Sequence, residues 1–556
     1  MTVKPKELGL PRKFKGFWPG QWEAIEFVAK SEAKVVLVEA PTGIGKTLIM
    51  AALQKHLNTK MLYTCSTKQL QSQVIKDFKY AVELKGRSNY HCSKDPKSFP
   101  KLSANECTKD ARNCITCMYP CPTNPAKTDK QGCPCDDINE KCPCIQNCPY
   151  LIQKSIAKQA DLAVLNTAFF LAEANFVGDF SGWPWIVLDE GDEMENHLMG
   201  FEKVSITQRQ IDRLKIGPPS KKTVAEAWIE WMVLKAIPAI YQRIRALDPA
   251  SPVDQRERQQ LGRLVRRYEF LSTQDMSKWV FYPDEKSWDF KPVFIAPFAE
   301  SDIWKHGERF LMMSASFLSK KHRAQQLGLK DSQVDIIRLD SPFPPENRPI
   351  FFVASANMTN KNKAEAWPQA IETMDDLLDD HIAEKGIIHS VSYPLTQFVM
   401  ENSRHHARLM THDTRNRIKV LEDFKKSPTN EVLVSPSMSR GVDLPGDQAR
   451  FSIILKAPFP YLGDPQISRR LYSTGREGEI WYAMQAIAEI IQMTGRIVRY
   501  VGDWGICYII DVQFNRLFND NRWLFPDWWQ AGLISAPKKD DYEWWRERAK
   551  LLRGKV

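Results

Sequence analysis

Long apolar segments and scattered cysteines are both missing from this sequence of 556 residues. No run approaches the ~20 apolar residues that span a bilayer, and the first residues, MTVKPKELGLPRKF, lack the apolar segment of a signal peptide. Only two of the 12 cysteines, Cys65 and Cys507, lie outside residues 92–148. We therefore expect a cytoplasmic protein without a membrane partner, in which thiols stay reduced and these two cysteines are plain core residues.

The bulk composition gives no sign of disorder, with 43% apolar and 26% charged residues. A chain of this length exceeds one hydrophobic core, so we expect three or four domains. The net charge of +10 fits a groove that follows a phosphate backbone. It fits equally well a basic enzyme without a nucleic-acid partner, so charge alone does not decide between the two.

A phosphate-binding loop is predicted near the start of the chain. The apolar run 35–38 indicates a buried strand, residues 40–47 read Ala-Pro-Thr-Gly-Ile-Gly-Lys-Thr, and residues 47–57 indicate a helix. This order of strand, glycine loop and helix is the context that such a loop requires. Its backbone N–H groups can approach phosphate oxygens, so the segment predicts a nucleotide site.

Individual positions of the loop carry distinct roles. Lys46 can lie between the β- and γ-phosphates, and Thr47 can bind Mg²⁺. Ala40 stands where the strict pattern has glycine. The positions that match are Gly43, Gly45, Lys46 and Thr47.

An acidic pair, Asp189 and Glu190, follows the apolar run 185–188. One carboxylate can bind the Mg²⁺ shell, and the next can orient the attacking water. A solvated acidic loop is the plain alternative. Because both this pair and the phosphate loop follow buried strands, we expect them to meet at the carboxyl edge of one parallel sheet.

The segment between residues 200 and 300 has a different pattern. Residues 225–237 predict an amphipathic helix, and residues 256–270 predict an arginine-rich helix. Short β segments are predicted near 279–282 and 292–295.

A second series of short apolar strands begins near residue 346 and predicts a second parallel sheet. The predicted strands are 350–353, 386–389, 432–434, 451–455 and 507–510. Near the end of the series, Arg496 and Arg499 are three residues apart, which predicts that one helix face carries both. Such a pair can reach a γ-phosphate held by a neighbouring lobe. A surface helix with two arginines is the plain alternative.

In order along the chain, these strings resemble the motifs of the XPD/DinG-like iron–sulfur helicases of superfamily 2, over most of residues 17–512. The matching strings are 19–21 (Q motif), 39–47 (motif I), 63–67 (Ia), 189–190 (II), 314–316 (III), 439–443 (V) and 492–499 (VI). The acidic box departs from the family's Asp-Glu-Ala-His, because Gly191 and Asp192 occupy its last two positions. That departure leaves open how nucleotide state reaches motif III.

The resemblance implies an α/β fold with two RecA-like parallel-sheet motor domains, the first carrying an iron–sulfur insertion and a mainly helical Arch-like insertion. The implied domains are RecA-like domain 1 in three parts (1–87, 151–200 and 301–345), an iron–sulfur domain (88–150), an Arch-like domain (201–300) and RecA-like domain 2 (346–556). Together they imply an ATP-hydrolysing DNA helicase whose lobes enclose ATP.

The resemblance also assigns site residues. The implied catalytic residues are Lys46, Glu190, Arg496 and Arg499. The implied nucleotide-binding residues are Gln21, Gly43, Gly45, Lys46, Thr47, Asp189, Asp443 and Gln492. Thr47 and Asp189 are the implied Mg²⁺ ligands.

Ten cysteines lie within residues 92–148, and clustered thiols in a reducing compartment indicate metal ligands. Thiolates suit iron–sulfur clusters and zinc alike, whereas the resemblance implies a 4Fe–4S cluster. Its implied ligands are Cys92, Cys107, Cys144 and Cys148, with Cys142 and the pair Cys114 and Cys117 as open alternatives for the middle positions. An additional zinc site is a further hypothesis, on Cys114, Cys117, Cys133 and Cys135, and loose packing of extra cysteines is its plain alternative.

The implied partners are single-stranded DNA and forked or tailed duplex DNA, with 5′→3′ movement by a monomer in a bacterial, archaeal or phage-infected cell. No protein partner is indicated. Candidate contacts to the DNA backbone are Ser66, Thr67, Ser439 and Arg440. Candidates for stacking on bases are Tyr90, Tyr119 and Tyr150. The alternative function is an ATP-regulated nucleic-acid-binding or nuclease-like protein that keeps the helicase frame.

Overall fold

Two seven-stranded parallel sheets organise the computed structural model, which describes residues 3–91, 148–248, 252–500 and 502–535. The strands of the first sheet are β1 (Val35–Glu39), β2 (Met61–Cys65), β3 (Val82–Leu84), β4 (Leu162–Asn166), β5 (Trp183–Asp189), β9 (Gly307–Ser314) and β10 (Val334–Arg338). Their order across the sheet is β10-β1-β9-β5-β2-β4-β3, and all neighbours run parallel. The sheet therefore places the ends of β1, β9 and β5 side by side.

Helices cover the first sheet on both faces, as a parallel sheet with almost wholly buried strands requires. They are α1 (Gln21–Lys30), α2 (Lys46–Leu57), α3 (Lys68–Asp77), α4 (Pro149–Gln159), α5 (Thr167–Ala172), α6 (Met194–Glu202), α11 (Ala296–Asp302) and α12 (Lys320–Gln326). Cys65 belongs to one of the two resulting cores and is fully buried, as predicted.

The second lobe repeats this architecture. Its strands are β11 (Ile350–Ala356), β12 (Gly386–His389), β13 (Leu409–Thr411), β14 (Val432–Ser435), β15 (Phe451–Ile454), β16 (Ile506–Asp511) and β17 (Leu533–Ser535), in the order β13-β14-β12-β15-β16-β11-β17. Its helices are α13 (Lys363–Asp380), α14 (Tyr393–Asn402), α15 (Arg417–Lys426), α16 (Pro465–Ser473), α17 (Arg476–Thr494), α18 (Gln513–Asp520) and α19 (Asp527–Gln530). The predicted pair of parallel-sheet lobes is confirmed, and Cys507 is buried in the second core.

An insertion between β5 and β9 combines helices with a small antiparallel sheet. Its helices are α7 (Gln208–Leu214), α8 (Ala225–Trp231), α9 (Ile237–Ala246) and α10 (Pro252–Ser272), and its strands are β6 (Val204–Thr207), β7 (Trp279–Pro283) and β8 (Ser287–Pro292). The strand predicted at 292–295 is wrong, because β8 ends at Pro292 and α11 begins at Ala296. Trp228 and Trp231 are buried in the core of this insertion.

Within the described part of the chain, no helix is both long and apolar enough to cross a bilayer.

Candidate nucleotide site between the lobes

The phosphate loop, residues 40–47, connects β1 to α2 at the carboxyl edge of the first sheet. Gly43 and Gly45 have φ of +85° and +80°, which side chains rarely adopt. A Cβ on Gly43 would also lie 3.0 Å from the ring of Phe343 and 3.4 Å from the carbonyl oxygen of Arg499. The loop therefore needs glycine at position 43 for its own backbone and for the close approach of the second lobe.

Lys46 is the first residue of α2, where helix N–H groups and the helix dipole favour an anion. Its Nζ donates to the carbonyl oxygens of Ala40 (3.2 Å) and Pro41 (3.3 Å), so the side chain folds back over the loop. Burial lowers the pKa of Lys46 to about 8, and the nearby Asp189 partly opposes this. A phosphate would favour the charged form and would give the ammonium a stronger partner than two carbonyls.

Gln21 braces the same loop from α1. Its Nε2 donates to the carbonyl oxygen of Ile44 (2.5 Å), and its Oε1 accepts from the N–H of Trp18 (2.8 Å). The side chain is buried. The structure thus gives Gln21 a role in loop geometry, and its contact with adenine stays a prediction.

Asp189 ends β5 and lies beside the phosphate loop, as the sheet-edge argument predicts. Its carboxylate accepts from the hydroxyl of Tyr63 and from the N–H of Glu190 (3.1 Å). Burial, with the adjacent Glu190 second, raises the pKa of Asp189 to about 6. A divalent cation would favour the ionised form, and carboxylate and hydroxyl oxygens are the donors that Mg²⁺ accepts beside nucleotide phosphates.

Glu190 occupies a strained backbone position with φ of +51°. Its carboxylate accepts a hydrogen bond from the hydroxyl of Ser66. The turn after β5 thereby holds the predicted water-orienting carboxylate against the predicted DNA-contacting segment of the first lobe.

Arg496 and Arg499 do not lie on a helix face, so that prediction is wrong. Helix α17 ends at Thr494 with Gly495 as its C-cap, and both arginines follow it. The physical reason is a contact with the first lobe. Thr42 Oγ1 donates to the carbonyl oxygen of Gly495 (2.9 Å), and a Cβ on Gly495 would lie only 2.2 Å from Thr42 Oγ1. The lobes therefore touch where the helix stops.

Both arginines are instead held by the backbone of Val442 in motif V. Arg496 Nη1 (2.9 Å) and Arg499 Nη2 (3.2 Å) donate to the Val442 carbonyl, and Arg499 also forms an ion pair with Asp443. Arg496 is buried, and this burial, with Arg499 second, lowers its pKa to about 9. Gln492 completes the group, since its Oε1 accepts from Arg496 Nη2 (2.9 Å).

The geometry thus brings together a phosphate loop and acidic pair from one lobe and two arginines from the other. A DEAD/DEAH box helicase model matches residues 18–114, and a helicase C-terminal domain model matches residues 378–532. The ATP-dependent DNA helicase YoaA of Haemophilus influenzae is 22% identical over 612 aligned positions, which cover 92% of this chain and 93% of that protein. These matches support an XPD/DinG-like helicase of superfamily 2.

Solved structures agree at the level of the fold. An XPD helicase has a TM-score of 0.59 at 14% identity, covering 93% of this chain and 98% of its own. S. tokodaii Xpd4 has a TM-score of 0.56 at 13% identity, covering 94% of this chain and 100% of its own. A further relative by sequence, the Gallus gallus Fanconi anemia group J protein homolog, is 30% identical over 95 residues, which are 16% of this chain and 7% of that protein. The DEAD/DEAH box match and the similarity to YoaA, rather than these structures, support ATP-hydrolysing helicase activity.

The XPD/DinG-like motifs also meet at a residue that sequence reasoning treated only as a departure. Asp192 is buried and accepts hydrogen bonds from Ser314 Oγ (2.6 Å) and Ser316 Oγ (2.8 Å) of motif III. It forms an ion pair with Arg440 of motif V (2.8 Å). An acidic residue in place of the family's histidine, together with an arginine in motif V, was the available signal for this contact.

Arg440 was predicted to contact the DNA backbone; that stays a prediction, and in the structure its guanidinium pairs with carboxylates. Its guanidinium lies within 2.8 Å of Asp192, 3.2 Å of Glu193 and 2.8 Å of Glu489. Three carboxylates therefore surround Arg440, and in this arrangement its charge serves the contact between the lobes.

The predicted cluster ligands Cys92, Cys107 and Cys144, and the zinc candidates, lie outside the described residues. Cys148 is half-buried at the N-terminus of α4. In the ranges that the structure does describe, no three His, Cys, Asp or Glu side chains are grouped as a metal site. The 4Fe–4S cluster therefore stays a prediction from the family.

Among the aromatic residues predicted to stack on bases, the prediction for Tyr150 is wrong. It is 2% exposed, and its hydroxyl donates to Glu173 (3.2 Å), so its ring belongs to the core of the first lobe. Tyr90 packs against it with ring centroids 5.6 Å apart and is only partly buried. Tyr119 lies outside the described residues.

Proposed function

We propose that this XPD/DinG-like helicase moves along single-stranded DNA in the 5′→3′ direction and separates forked or tailed duplex DNA with the energy of ATP hydrolysis. One observation supports the motor function above the others: the two halves of a nucleotide site face each other across the lobes. Thr42 of the phosphate loop donates to Gly495 of motif VI (2.9 Å), so loop and arginines are already adjacent.

In the proposed reaction Lys46 holds the phosphates, and Glu190 orients the attacking water. Thr47 and Asp189 would hold Mg²⁺, which neutralises charge on the phosphate oxygens. Arg496 and Arg499 would leave the carbonyl of Val442 and bind the γ-phosphate from the second lobe. Exchange of these partners would couple ATP binding to the relative position of the lobes.

Substrate and polarity come from similarity to relatives, and strand displacement tests both. Duplexes with a single 5′ tail and with a single 3′ tail should be compared, with ATPase turnover measured with and without single-stranded DNA. We expect displacement only from the 5′-tailed duplex and ATPase stimulated by DNA. Displacement only from the 3′ tail would reverse the proposed polarity.

The matched control is Lys46→Ala, which should keep DNA binding and lose turnover by a factor on the order of 10² to 10³. The reason is that the variant lacks the positive group that stabilises the negative charge developing on the phosphate in the transition state. DNA binding by the unaltered protein without ATP turnover would contradict the helicase function. That outcome would favour an ATP-regulated nucleic-acid-binding protein.

A 4Fe–4S cluster on Cys92, Cys107, Cys144 and Cys148 is also proposed from the family. Protein purified without oxygen should be brown, with broad absorbance near ~400 nm and about four iron atoms per chain. Cys148→Ser should lose the colour, whereas Cys65→Ser should keep it, because Cys65 is a core residue of the first lobe. A colourless protein that contains only zinc would contradict the assignment.

A further inference from the structure

A cavity of about 850 Å³ lies at the base of the insertion, between α6, where the chain leaves the first lobe, and α11, where it returns. It is lined by the turn after α5 and by residues of α6, β6, α7, α10 and α11. None of the described residues that line it belongs to the helicase motifs, so the cavity is distinct from the nucleotide site between the lobes. Its volume lies within the range of about 300–1,000 Å³ that is usual for small-molecule sites.

The floor of this cavity holds buried polar groups. Glu202 and Asp302 are 6% and 7% exposed, and their carboxyl groups lie within hydrogen-bond reach of each other. Burial raises the pKa of both carboxyls, which favours one proton shared between them. Apart from this contact, Oδ2 of Asp302 and the buried hydroxyl of Tyr268 have no hydrogen-bond partner among the described residues. The floor therefore has oxygen atoms that can accept from a ligand and a proton that can be donated to it.

One wall of the cavity is aromatic. The rings of Phe176 and Phe201 lie 5.3 Å apart between centroids, and the guanidinium of Arg267 stacks over Phe201 at 5.6 Å. Phe176 belongs to a π-helical turn, Glu173–Val177, and remains 47% exposed. Single π-helical turns are frequent at functional sites, and exposed aromatic rings bind planar ligands by stacking.

The mouth of the cavity is basic, because Arg213, Arg263 and Arg266 line it and are exposed. Arg263 and Arg266 are three residues apart on α10 and therefore share a helix face. Within the described part of the chain neither of them forms an ion pair, whereas Arg213 donates to Gln260 (2.9 Å). Two arginines without a carboxylate partner favour an anion, and their planar forks suit the oxygens of a phosphate.

These three parts of the cavity together describe one class of ligand. The carboxyl floor favours an amino group that donates hydrogen bonds, such as the exocyclic amino groups of adenine, cytosine and guanine. The aromatic wall favours a planar ring, and the arginines favour a phosphate. Nucleotides combine all three groups, whereas the base of a thymidine nucleotide has no amino group.

We propose that this cavity is a second nucleotide site, in which an amino-bearing base stacks on Phe176 and donates to the carboxyl pair of Glu202 and Asp302 while its phosphate binds Arg263 and Arg266. The inference goes beyond the proposed motor function, which uses none of these residues. The ligand is either a free mononucleotide or one unit of a DNA strand, and the recognition chemistry is the same for both.

The first test is calorimetry on the full chain with dCMP and dGMP, in the presence of saturating ADP and Mg²⁺ so that the site between the lobes is occupied. We expect a Kd on the order of 10 to 100 µM for both. Binding of dTMP, which lacks the amino group, and of deoxycytidine, which lacks the phosphate, should each be weaker by about tenfold or more. Absence of dCMP and dGMP binding would overturn the proposal, as would equal binding of dTMP or of deoxycytidine.

Competition separates the two sources of the nucleotide. Displacement of bound dCMP by oligo(dC) at lower concentration than by oligo(dT) would assign the cavity to a DNA strand. Retention of dCMP in the presence of either oligonucleotide would assign it to free nucleotides. Both results support a site for an amino-bearing base, whereas equal displacement by the two oligonucleotides would contradict recognition of the base.

Variants then test the arginines against a matched control. Arg263→Ala with Arg266→Ala should raise the Kd for dCMP about tenfold or more. Arg209→Ala with Arg245→Ala removes the same charge from exposed positions of α7 and α9 that do not line the cavity, and should change the Kd less than about twofold. Equal losses in the two double variants would show general attraction by positive charge and would overturn the proposed site.

A further variant tests the floor. Asp302→Asn removes an acceptor and should raise the Kd for dCMP about tenfold while changing the Kd for dTMP little. If this variant does not fold, the comparison of dCMP with dTMP on the unaltered protein decides, since it needs no substitution. Loss of ATP turnover or of strand displacement would contradict the proposed helicase function and leave this inference standing, because calorimetry does not depend on either activity.

Discussion

Two buried carboxylates three residues apart, Asp192 and Glu195, each pair with an arginine of the second lobe, yet their surroundings differ. Asp192 is surrounded by hydroxyls and amides that lead to Arg496. Glu195 pairs with Arg470 and accepts from the indole of Trp481 (3.2 Å), while Arg470 stacks over that indole at 4.1 Å. The second contact has apolar walls and no route to the nucleotide site.

The Glu195–Arg470 pair belongs to a wider contact between the lobes, here called the outer contact, and its other members are also structural. Tyr282 of the insertion donates to Asp464 (2.6 Å), and Gln466 Nε2 donates to the carbonyl of Val293 (3.0 Å). Helix α16 thereby fastens the second lobe to the insertion and to the first lobe. The comparison shows that similar ion pairs between the lobes can either connect to the arginines of motif VI or only hold the lobes together, according to which groups surround them.

The largest expected effect is a fall in kcat, and it distinguishes the region around Asp192 from the outer contact around Glu195. Arg496→Lys keeps the positive charge but loses the planar fork that binds Val442 and Gln492 and that would bind the γ-phosphate in the proposed reaction. We expect kcat to fall on the order of 10³-fold, the lower range for a catalytic arginine, with little change in thermal stability. Steady-state ATPase assays measure kcat, and thermal unfolding measures the stability. A kcat within tenfold of the original would show that Arg496 has no essential part in the reaction.

The second effect should be on stability and should be confined to the outer contact. Arg470→Met leaves the buried Glu195 without its partner, which typically costs about 3–5 kcal/mol. Chemical denaturation should show that loss, while kcat at moderate temperature stays within about twofold. The double variant Glu195→Leu with Arg470→Met should recover most of the stability, and a failure to recover would mean that packing, rather than charge, holds this contact.

A third carboxylate on the same segment, Glu202, extends the comparison, because it lies 3.9 Å from its arginine, Arg267. Burial, followed by the nearby Asp302, raises the pKa of Glu202 above its ordinary value of 4.5. Its proton therefore stabilises the fold at low pH, and this stability is lost as pH rises from 4.5 through the raised pKa.

Glu202→Gln should consequently gain about 1–2 kcal/mol of unfolding free energy relative to the original protein at about pH 8, and little at about pH 5. Denaturant unfolding at the two pH values measures the difference. An equal effect at both pH values would show that ionisation of Glu202 is not its cause.

The smallest effect concerns the hydrogen bond between Thr42 Oγ1 and the carbonyl of Gly495. Thr42→Val keeps the shape and removes a bond with a net contribution of about 1 kcal/mol. The KM for ATP should rise about fivefold, because closure of the lobes on the nucleotide becomes less favourable. An unchanged KM with a lower kcat would place this bond in the catalytic step.

Local patterns predicted the phosphate loop and its flanking elements closely. The predicted strand 35–38 and helix 47–57 differ from β1 (Val35–Glu39) and α2 (Lys46–Leu57) by one residue each. Apolar runs, glycines and their order along the chain suffice there, because the conformation depends mainly on neighbouring residues. The parallel arrangement of both sheets followed from the same kind of pattern.

What the sequence could not provide depends on contacts between distant segments. The spacing of Arg496 and Arg499 suits a helix, but Thr42, more than 450 residues earlier, meets the chain at Gly495, where α17 gives way to the arginine segment. The role of Asp192 likewise required knowing that Ser316 and Arg440 reach it from separate elements. Tyr150 belonged to a core whose other members lie in remote strands and helices.

The close approach at Gly495 has a consequence for how this protein could be engineered. A single methyl group at position 495 would be thicker than the gap to Thr42, where the added carbon would sit at 2.2 Å. Gly495→Ala would thus act as a spacer that holds the two lobes slightly apart. Such a variant offers a way to isolate an open form of the protein for structural study while Lys46, Asp189 and Arg496 keep their side chains.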